Sequence, residues 1–519
     1  MANDHIIHLY SHTTCYIQSM EDNNGILQPN VGAIYILLMT SEGTVKSYVA
    51  LNSTSAGVPP LYGNDFFGNS LASLGDLDED GVVDIAVGAP GSIISSVYIL
   101  YLNSDSTIKN YVLVRGEYEA DDTGSTLDAL NVTSNSTIWR FNGPPIHYLS
   151  KFGTSLANVG DIDGDNITDL AVGSNSESKG IDVVQILFLY RNGTVREWST
   201  IGSNIGGGPK IPITFSKFGS SVTTLGDFDG DGVNDLVIGA RYLDDFLDTN
   251  TRSGVIYVCF MHQNGTVRDS RRISLWSEQL FGYLLPWRKG YECGSALTSI
   301  GDINRDEMRQ QVPYSDNPSQ NTPGYDKGLH KGSNGLPDRQ PITDIVVGCP
   351  TPETGKGTGK MYLLFQREDG YQQGYREIPS ITDYGRYDTA PLISEKDMYG
   401  AALSGYQDVD SNGIKEIVVG SPGYNNSRGA VYLMFLRRRR FHAPIPDTFM
   451  YWFKILFPIG MFILCYCLSC CYFFWYFRRR PDEVEIAVLA SDLEIGKQRD
   501  RKAIDKSGES GMNDDEFPS

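Results

Sequence analysis

Short apolar runs, broken by glycine, asparagine and aspartate, recur along residues 31–436. Their alternation and their Tyr, Val and Ile content predict strands joined by hairpins rather than helices. Five segments share one order of residues: an aromatic-Gly pair or its counterpart, an apolar run, Gly-Asp, alternating acids, an aliphatic run, and Val-Gly-Ala-Pro or a relative. They begin at Phe67-Gly68, Phe152-Gly153, Phe218-Gly219, Cys293-Gly294 and Tyr399-Gly400, and run on into strands such as Val97-Tyr98-Ile99-Leu100 and Val431-Tyr432-Leu433. Internal repetition sets the whole fold and takes precedence over local propensity. Four short strands per unit, repeated radially, predict an all-β propeller, with a linear solenoid as the alternative.

The acids fall at fixed places. Unit one reads Asp76, Asp78, Asp80 and Asp84 at loop positions one, three, five and nine, with the Val82 carbonyl at position seven. Hard oxygen donors at that spacing around a sharp glycine turn suit calcium (Ca2+), as in an EF-hand loop, although the flanks here are strands. Unit two repeats the set with Asp161, Asp163, Asp165, Ile167 and Asp169, and unit three with Asp227, Asp229, Asp231, Val233 and Asp235. Unit five offers Asp408, Asp410, Asn412, Ile414 and Glu416, whose longer side chain has the reach to chelate with both oxygens. Unit four departs from the pattern. Asp302, Asn304 and Asp306 fill the first three positions, and the best ninth-position counterpart is Asp344, reached across 34 extra residues rich in Pro, Asn and Gly. That insertion, about 307–341, is either an exposed surface loop or a mistranslated non-coding segment. Ions in such loops are read as structural clips.

These Phe-Gly … Gly-Ala-Pro units resemble the FG-GAP repeats of the integrin α-subunit β-propeller, over roughly residues 31–436. The resemblance implies seven blades, calcium loops on one face and ligand contact by loops on the other. Gly32-Ala33-Ile34-Tyr35-Ile36 and Thr44-Val45-Lys46-Ser47-Tyr48 look like the second half of a further unit, so about six to seven blades are expected, five of them complete. The N-terminal unit is either degenerate or missing its start. Met1 to Tyr10 has no basic start followed by an apolar core, and we favour a missing start.

Composition narrows the partners. The chain has 63 Asp+Glu against 43 Lys+Arg, a net charge of −20, with the excess acid in residues 1–436. That balance argues against a nucleic-acid ligand, which requires clustered cations.

Residues 455–477 carry no charge over 23 positions, about 35 Å as a helix, enough to cross a hydrocarbon core of about 30 Å. The expected organisation is a propeller at 1–436, a basic linker at 437–454, one transmembrane helix at 455–477 and a cytoplasmic tail at 478–519, read as disordered in preference to a short amphipathic helix at 482–489. Arg437–Arg440 and Arg478–Arg480 flank the span on both sides, so charge leaves the orientation open. Loops of modest calcium affinity fill outside the cytosol, and the seven Asn-x-Ser/Thr sequons, at Asn52, Asn131, Asn135, Asn166, Asn192, Asn264 and Asn425, all precede the span. The propeller is therefore placed on the extracellular or lumenal side of the plasma membrane or an endomembrane. The four-arginine run is a basic linker or a processing site.

Cys293 replaces the Phe of Phe-Gly and Cys349 the Ala of Gly-Ala-Pro; they are buried small hydrophobes or a disulfide pair. No Gly-x-Ser-x-Gly elbow, His-Glu-x-x-His or phosphate-binding glycine loop is present, and each paired aspartate belongs to a loop, so no enzyme is read. Two function classes follow. The first is a cell-surface adhesion or recognition protein, similar to an integrin α head, presenting the propeller to an extracellular protein or glycan ligand. The second is the accessory propeller of a membrane-bound enzyme or of a cell-wall matrix-binding protein whose N-terminal part is missing. Integrin α chains carry long leg domains between propeller and membrane. Here the last strand ends near Leu436, and Phe477-Arg-Arg-Arg-Pro481 does not match the integrin Gly-Phe-Phe-Lys-Arg motif, which leaves pairing with a β-type subunit open. The layout is also similar to membrane-anchored FG-GAP proteins of the T-cell immunomodulatory type.

Overall fold

A computed structural model describes most of residues 30–439, together with the backbone at 5–9, 20–21, 27–28 and 483–489; within the first range, 119–143, 305–341, 379–395 and several shorter stretches are not described, nor are 440–482 and 490–519. Five four-stranded antiparallel sheets stand in chain order. Unit one is Ser70–Gly75, Asp84–Ala89, Ser96–Leu102 and Ile108–Val114, and unit two is Phe152–Gly160, Asp169–Ser174, Val183–Leu189 and Val195–Gly202. Unit three is Phe218–Gly226, Asp235–Ala240, Val255–Met261 and Val267–Ile273, and unit four is Ala296–Gly301, Asp344–Cys349, Lys360–Gln366 and Gln372–Ile378. Unit five is Ala402–Gly405, Ile417–Ser421 and Ala430–Arg439, with Glu483–Leu489 as its outer strand.

The first strands of all five units line one central pocket, through Ser70, Ser155, Ser221, Thr298 and Ser404 among others. Second and third strands are buried on both sides, Asp84–Ala89 and Ser96–Leu102 throughout, because each sheet packs its two faces on its two neighbours. The Ile34–Met39 strand closes the ring. Ile34 and Ile36 join the cluster around Phe67, Val87 and Tyr98 of unit one, whereas Leu37 and Met39 join Val418, Leu433 and Phe435 of unit five. This period-two division of one strand between two cores is what a radial arrangement requires. The N-terminal sheet has three strands, Val45–Leu51, Ile34–Met39 and His5–Leu9, and among the described residues no inner strand. The described ring thus has five complete blades and this partial one.

The repeat grammar has a packing cause. Gly88, of Gly-Ala-Pro in unit one, faces Gly153, of Phe-Gly in unit two; Gly173 and Gly219, Gly239 and Gly294, and Gly348 and Gly400 repeat the contact. A Cβ on any of the four Gly-Ala-Pro glycines would lie 2.1–2.2 Å from the next unit's glycine carbonyl oxygen. That same carbonyl accepts the hydroxyl of Ser70 at 2.7 Å, Ser155 at 2.8 Å and Ser221 at 2.7 Å in the first three junctions. Phe67, Phe152 and Phe218 fill the space behind, each fully buried, and Tyr399 does so in unit five.

The chain end differs from the expected linker and tail. The third strand of unit five runs through Arg437–Arg439, past the expected end at Leu436, and Glu483–Leu489 pairs with it antiparallel, Arg437 opposite Glu485 and Arg439 opposite Glu483. Alternation of Glu483 and Glu485 with Val484, Ile486 and Val488 is a strand pattern, which the helix and disorder readings passed over. The expected span at 455–477 lies outside the described residues, among which no helix is long and apolar enough to cross a membrane. The insertion at 307–341 and Asp306 also lie outside them.

Candidate metal centre

Each acidic loop stands between the first strand of a unit and the second; its ninth residue opens that second strand in units one to four, and Glu416 immediately precedes it in unit five. Asp84, Asp169, Asp235 and Asp344 pair with Gly75, Gly160, Gly226 and Gly301 across a β-bulge, so one register holds all four acids, including the one beyond the insertion. All four are fully buried, as is Glu416 in unit five. One oxygen accepts the position-two amide: Leu77 to Asp84 at 3.0 Å, Ile162 to Asp169 at 3.1 Å, Phe228 to Asp235 at 3.2 Å, Ile303 to Asp344 at 3.0 Å. The other accepts an amide at the end of the third strand, from Leu102, Leu189, Met261 or Gln366. Glu416 accepts Val409 N–H at 2.7 Å through Oε2, while its buried Oε1 has no partner.

Positions one and five shape the turn. Asp76 Oδ2 accepts Gly81 N–H at 2.8 Å, and Asp161, Asp227 and Asp408 accept the corresponding amide of Asn166, Gly232 and Gly413. The position-five side chains of Asp80, Asp165, Asp231 and Asn412 each accept the position-seven amide, from Val82, Ile167, Val233 and Ile414, at 2.8–2.9 Å. Those four position-seven side chains pack on the apolar clusters, which anchors the returning limb of the loop. Asx-type turns tied to a buried acid explain how an acid-rich hairpin keeps one shape.

Carboxylate oxygens converge in four loops. Those of Asp76, Asp78 and Asp84 lie within 4.8 Å of one another, as do those of Asp161, Asp163 and Asp169, of Asp227, Asp229 and Asp231, and of Asp408, Asp410 and Glu416. Burial is the first cause that pushes the ninth acid up, to about 6 for Asp84, about 7 for Asp169 and Glu416, and about 8 for Asp235, with nearby loop carboxylates adding to it. Burial and the Asp231 carboxylate likewise raise Asp229. Oxygens at Asp78, Asp227, Asp229 and Glu416 are buried without a hydrogen-bond partner. Crowded, desolvated carboxylates with free oxygens fit a hard divalent cation, whose charge would make them stable as anions. In unit four, Asp302 and Asn304 flank Ile303, whose amide reaches Asp344, and the apolar pair backing the loops of units one to three (Leu102 and Ile108 in unit one) is replaced by buried Gln366 and Gln372.

Sequence reading missed the basic residues that meet these loops. Lys109 Nζ lies 2.8 Å from Asp78 and 2.6 Å from Asp80. Arg196 pairs with Asp163 and lies 2.9 Å from Asp165, and Arg268 pairs with Asp229 and lies 2.6 Å from Asp231. Lys109 is the first cause that holds the Asp80 carboxyl below its usual range. The available signal was an aliphatic-basic pair, Ile108-Lys109, Val195-Arg196 or Val267-Arg268, opening each outer strand. The structure also joins Cys293 to Cys349 by a disulfide, so the pair reading applies rather than two separate thiols.

Comparison with known proteins agrees with this architecture. The family model described as "FG-GAP repeat" matches residues 67–100, 152–195 and 218–259. Integrin alpha-4 of Xenopus laevis is 28% identical over 211 residues, covering 40% of this chain and 17% of the relative. Integrin alpha-PS2 of Drosophila melanogaster is 28% identical over 268 residues, 48% and 18% of the two chains, and integrin alpha-5 of Xenopus laevis 27% over 192 residues, 35% and 14%. The alignments thus span less than a fifth of each relative. Fold and site define an FG-GAP repeat β-propeller with acidic loops. The propeller is integrin α-like.

Proposed function

We propose that the protein is a calcium-binding, integrin α-like recognition protein of the cell surface, not an enzyme, which presents its propeller to an extracellular protein or glycan ligand. The observation that carries the calcium reading is the convergence of carboxylate oxygens in four loops, several of them buried without a partner. Calcium would be held by positions one, three, five, seven and nine in units one, two, three and five, with Asp302, Asn304, Asp306 and Asp344 forming a fifth, divergent set. There it would add positive charge to loops whose acids outnumber their basic partners, joining the first, second and third strands of a blade through one buried acid. At tenfold excess over Kd each site adds about 1.4 kcal/mol, so four add about 6, comparable with the net stability of a whole fold, about 5–15 kcal/mol. The disulfide accords with an oxidising, extracellular or lumenal setting.

The test is thermal unfolding of the full chain with calcium titrated in and then removed by EGTA. A rise of several degrees saturating near millimolar calcium supports loops that fill outside the cell. Saturation below micromolar points to a cytosolic protein, and no shift sinks the calcium assignment.

The membrane anchor is proposed from the uncharged stretch at 455–477. A specific observation favours a second arrangement: Ala430–Arg439 and Glu483–Leu489 share one sheet and therefore one side of any membrane. A single crossing between them and that pairing exclude each other. Pairing with a β-type subunit and ligand contact by the face opposite the acidic loops rest on the integrin resemblance.

A further inference from the structure

Three of the seven Asn-x-Ser/Thr sequons fold into one local shape. In Asn52-Ser-Thr54, Asn192-Gly-Thr194 and Asn264-Gly-Thr266 the asparagine Oδ1 accepts the threonine N–H at 3.0–3.1 Å and the same threonine's hydroxyl at 2.6–2.7 Å. Such Asx turns close within three residues and need no long-range contact to form. Because both donors converge on Oδ1, the planar carboxamide turns Nδ2 away from the bend, and among the described residues no hydrogen bond holds Nδ2 of any of the three. Asn192 and Asn264 are exposed, on the hairpins that join third strand to outer strand, whereas Gly193 and Gly265 beside them are buried against Tyr101 and Phe188 of the preceding blade. Glycine is thus the inner side of each hairpin and asparagine the outer side. Asn52 follows the outer strand of the N-terminal sheet and is half-buried. Asn166 differs. It is position six of the unit-two acidic loop, its N–H is given to Asp161 and that of Ile167 to Asp165, and among the described residues Thr168 donates nothing to it.

We propose that Asn52, Asn192 and Asn264 carry N-linked glycans and that Asn166 does not. The inference rests on the extracellular or lumenal reading and deepens it. The glycan donor is an oligosaccharide joined to a lipid pyrophosphate. A bond forms from Nδ2 to the sugar C1 as the C1–O bond to the pyrophosphate breaks; the lipid pyrophosphate leaves with the bonding electrons, and one Nδ2 proton passes to solvent. A local turn is available on the emerging chain as well as in the finished blade, and a side chain aimed outward leaves room for a bulky, solvated adduct. The turn itself asks only for a carbonyl oxygen. In unit one, Asp105-Ser-Thr107 builds it with aspartate, Oδ1 accepting the Thr107 N–H at 3.0 Å and the hydroxyl at 2.6 Å. What asparagine adds in units two and three is the amide nitrogen that sugar transfer consumes. Arg191, next to Asn192, pairs with Glu79 of the unit-one acidic loop, so a glycan on Asn192 stands beside that loop and keeps a protein ligand off that part of the face.

The experiment is peptide mapping of the full chain by mass spectrometry, before and after enzymatic removal of N-glycans in heavy-oxygen water, which marks each former site as labelled aspartate. The chain is taken from the cells that make it naturally and, in parallel, from animal cells in which an added cleavable leader carries it into the secretory route. Peptides bearing Asn52, Asn192 and Asn264 should be modified in both preparations and the Asn166 peptide in neither. Asp105→Asn keeps the turn and completes a sequon, so it should gain one glycan in the leader-directed chain and, once deglycosylated, melt as the wild type does. Bare asparagine at the three turns of the leader-directed chain, or sugar on Asn166 to the same extent as on them, overturns the inference and leaves the cell-surface reading intact. An Asp105→Asn chain that melts normally but gains no sugar shows that the turn does not select the sites, and overturns it likewise. Sugar on the leader-directed chain with none on the natural one removes the extracellular or lumenal placement and this inference with it.

Discussion

Gly88 and Gly153, 65 positions apart in consecutive blades, approach so closely that a Cβ on Gly88 would lie 2.2 Å from the Gly153 carbonyl oxygen and equally close to Ser70 Oγ. The same contact joins Gly173 to Gly219. Gly173→Ala should therefore destabilise the propeller by about 1–3 kcal/mol through backbone displacement at a blade junction. Gly164, at a φ of 84° with open space around it, provides the contrast. Gly164→Ala should lose only the left-handed backbone preference, about 1 kcal/mol. Chemical denaturation of both variants separates the causes, and equal losses would show that junction packing is not what selects Gly173.

Glu416 is buried with Oε1 unpartnered beside Asp408 and Asp410. Glu416→Gln should raise the melting temperature in EGTA, because a neutral amide replaces a desolvated carboxylate. It should also remove one site's share of the calcium-dependent gain, about 1.4 kcal/mol at tenfold excess over Kd. Differential scanning calorimetry with and without calcium reads both signs, and a variant that keeps the full calcium gain would take Glu416 out of the ligand set.

Acid–base behaviour follows from the ninth acids. Their carboxyls are raised to about 6, 7, 8 and 7 at Asp84, Asp169, Asp235 and Glu416, against about 4 in an unfolded chain. Between those limits the folded, calcium-free protein binds more protons than the unfolded one, so its stability is greatest at the acid end and falls as pH rises from about 4 to about 8. Calcium should flatten that decline and release protons on binding near pH 7. Melting curves in EGTA across this range would show the reverse slope if the four carboxyls were stabilised as anions by the fold alone.

The Cys293–Cys349 disulfide closes a loop with a sequence separation of 56 residues. Reduction, or Cys293→Ala with Cys349→Ala, should destabilise unit four by about 2–4 kcal/mol. Thiol counting on unfolded, non-reduced protein should find these two cysteines blocked; free thiols at both positions would contradict the pairing.

A C-terminal epitope tag tests the proposed anchor. With the propeller exposed on intact cells, the tag should be shielded until the membrane is permeabilised. A tag reached from the propeller's own side would keep Glu483–Leu489 in the unit-five sheet and exclude a single crossing at 455–477.

Much of the propeller was legible because radial repetition writes the same contacts five times. Phe67-Gly68 and its counterparts, the Gly-Asp opening the first four loops and the aliphatic second strands recur in order, since the five complete blades meet at four junctions through the same glycine–glycine approach. The acid spacing was legible for the same reason, being local to one hairpin. Three things needed the tertiary structure. The pairing of Lys109, Arg196 and Arg268 with the loops joins residues 29 to 39 positions apart, and the aliphatic-basic pair that opens each of these strands does not say which acids the strand register brings to it. Division of Ile34–Met39 between units one and five closes the ring from opposite ends of the chain. Equivalence of Asp344 with Asp84, Asp169 and Asp235 was a conjecture across 34 extra residues, and the pairing of Gly301 with Asp344 gives it a structural basis. Sequence by itself determined the repeat and the donors available to an ion; long-range sheet register decided which charges meet, because hydrogen-bonded ladders bring together residues that the chain keeps apart.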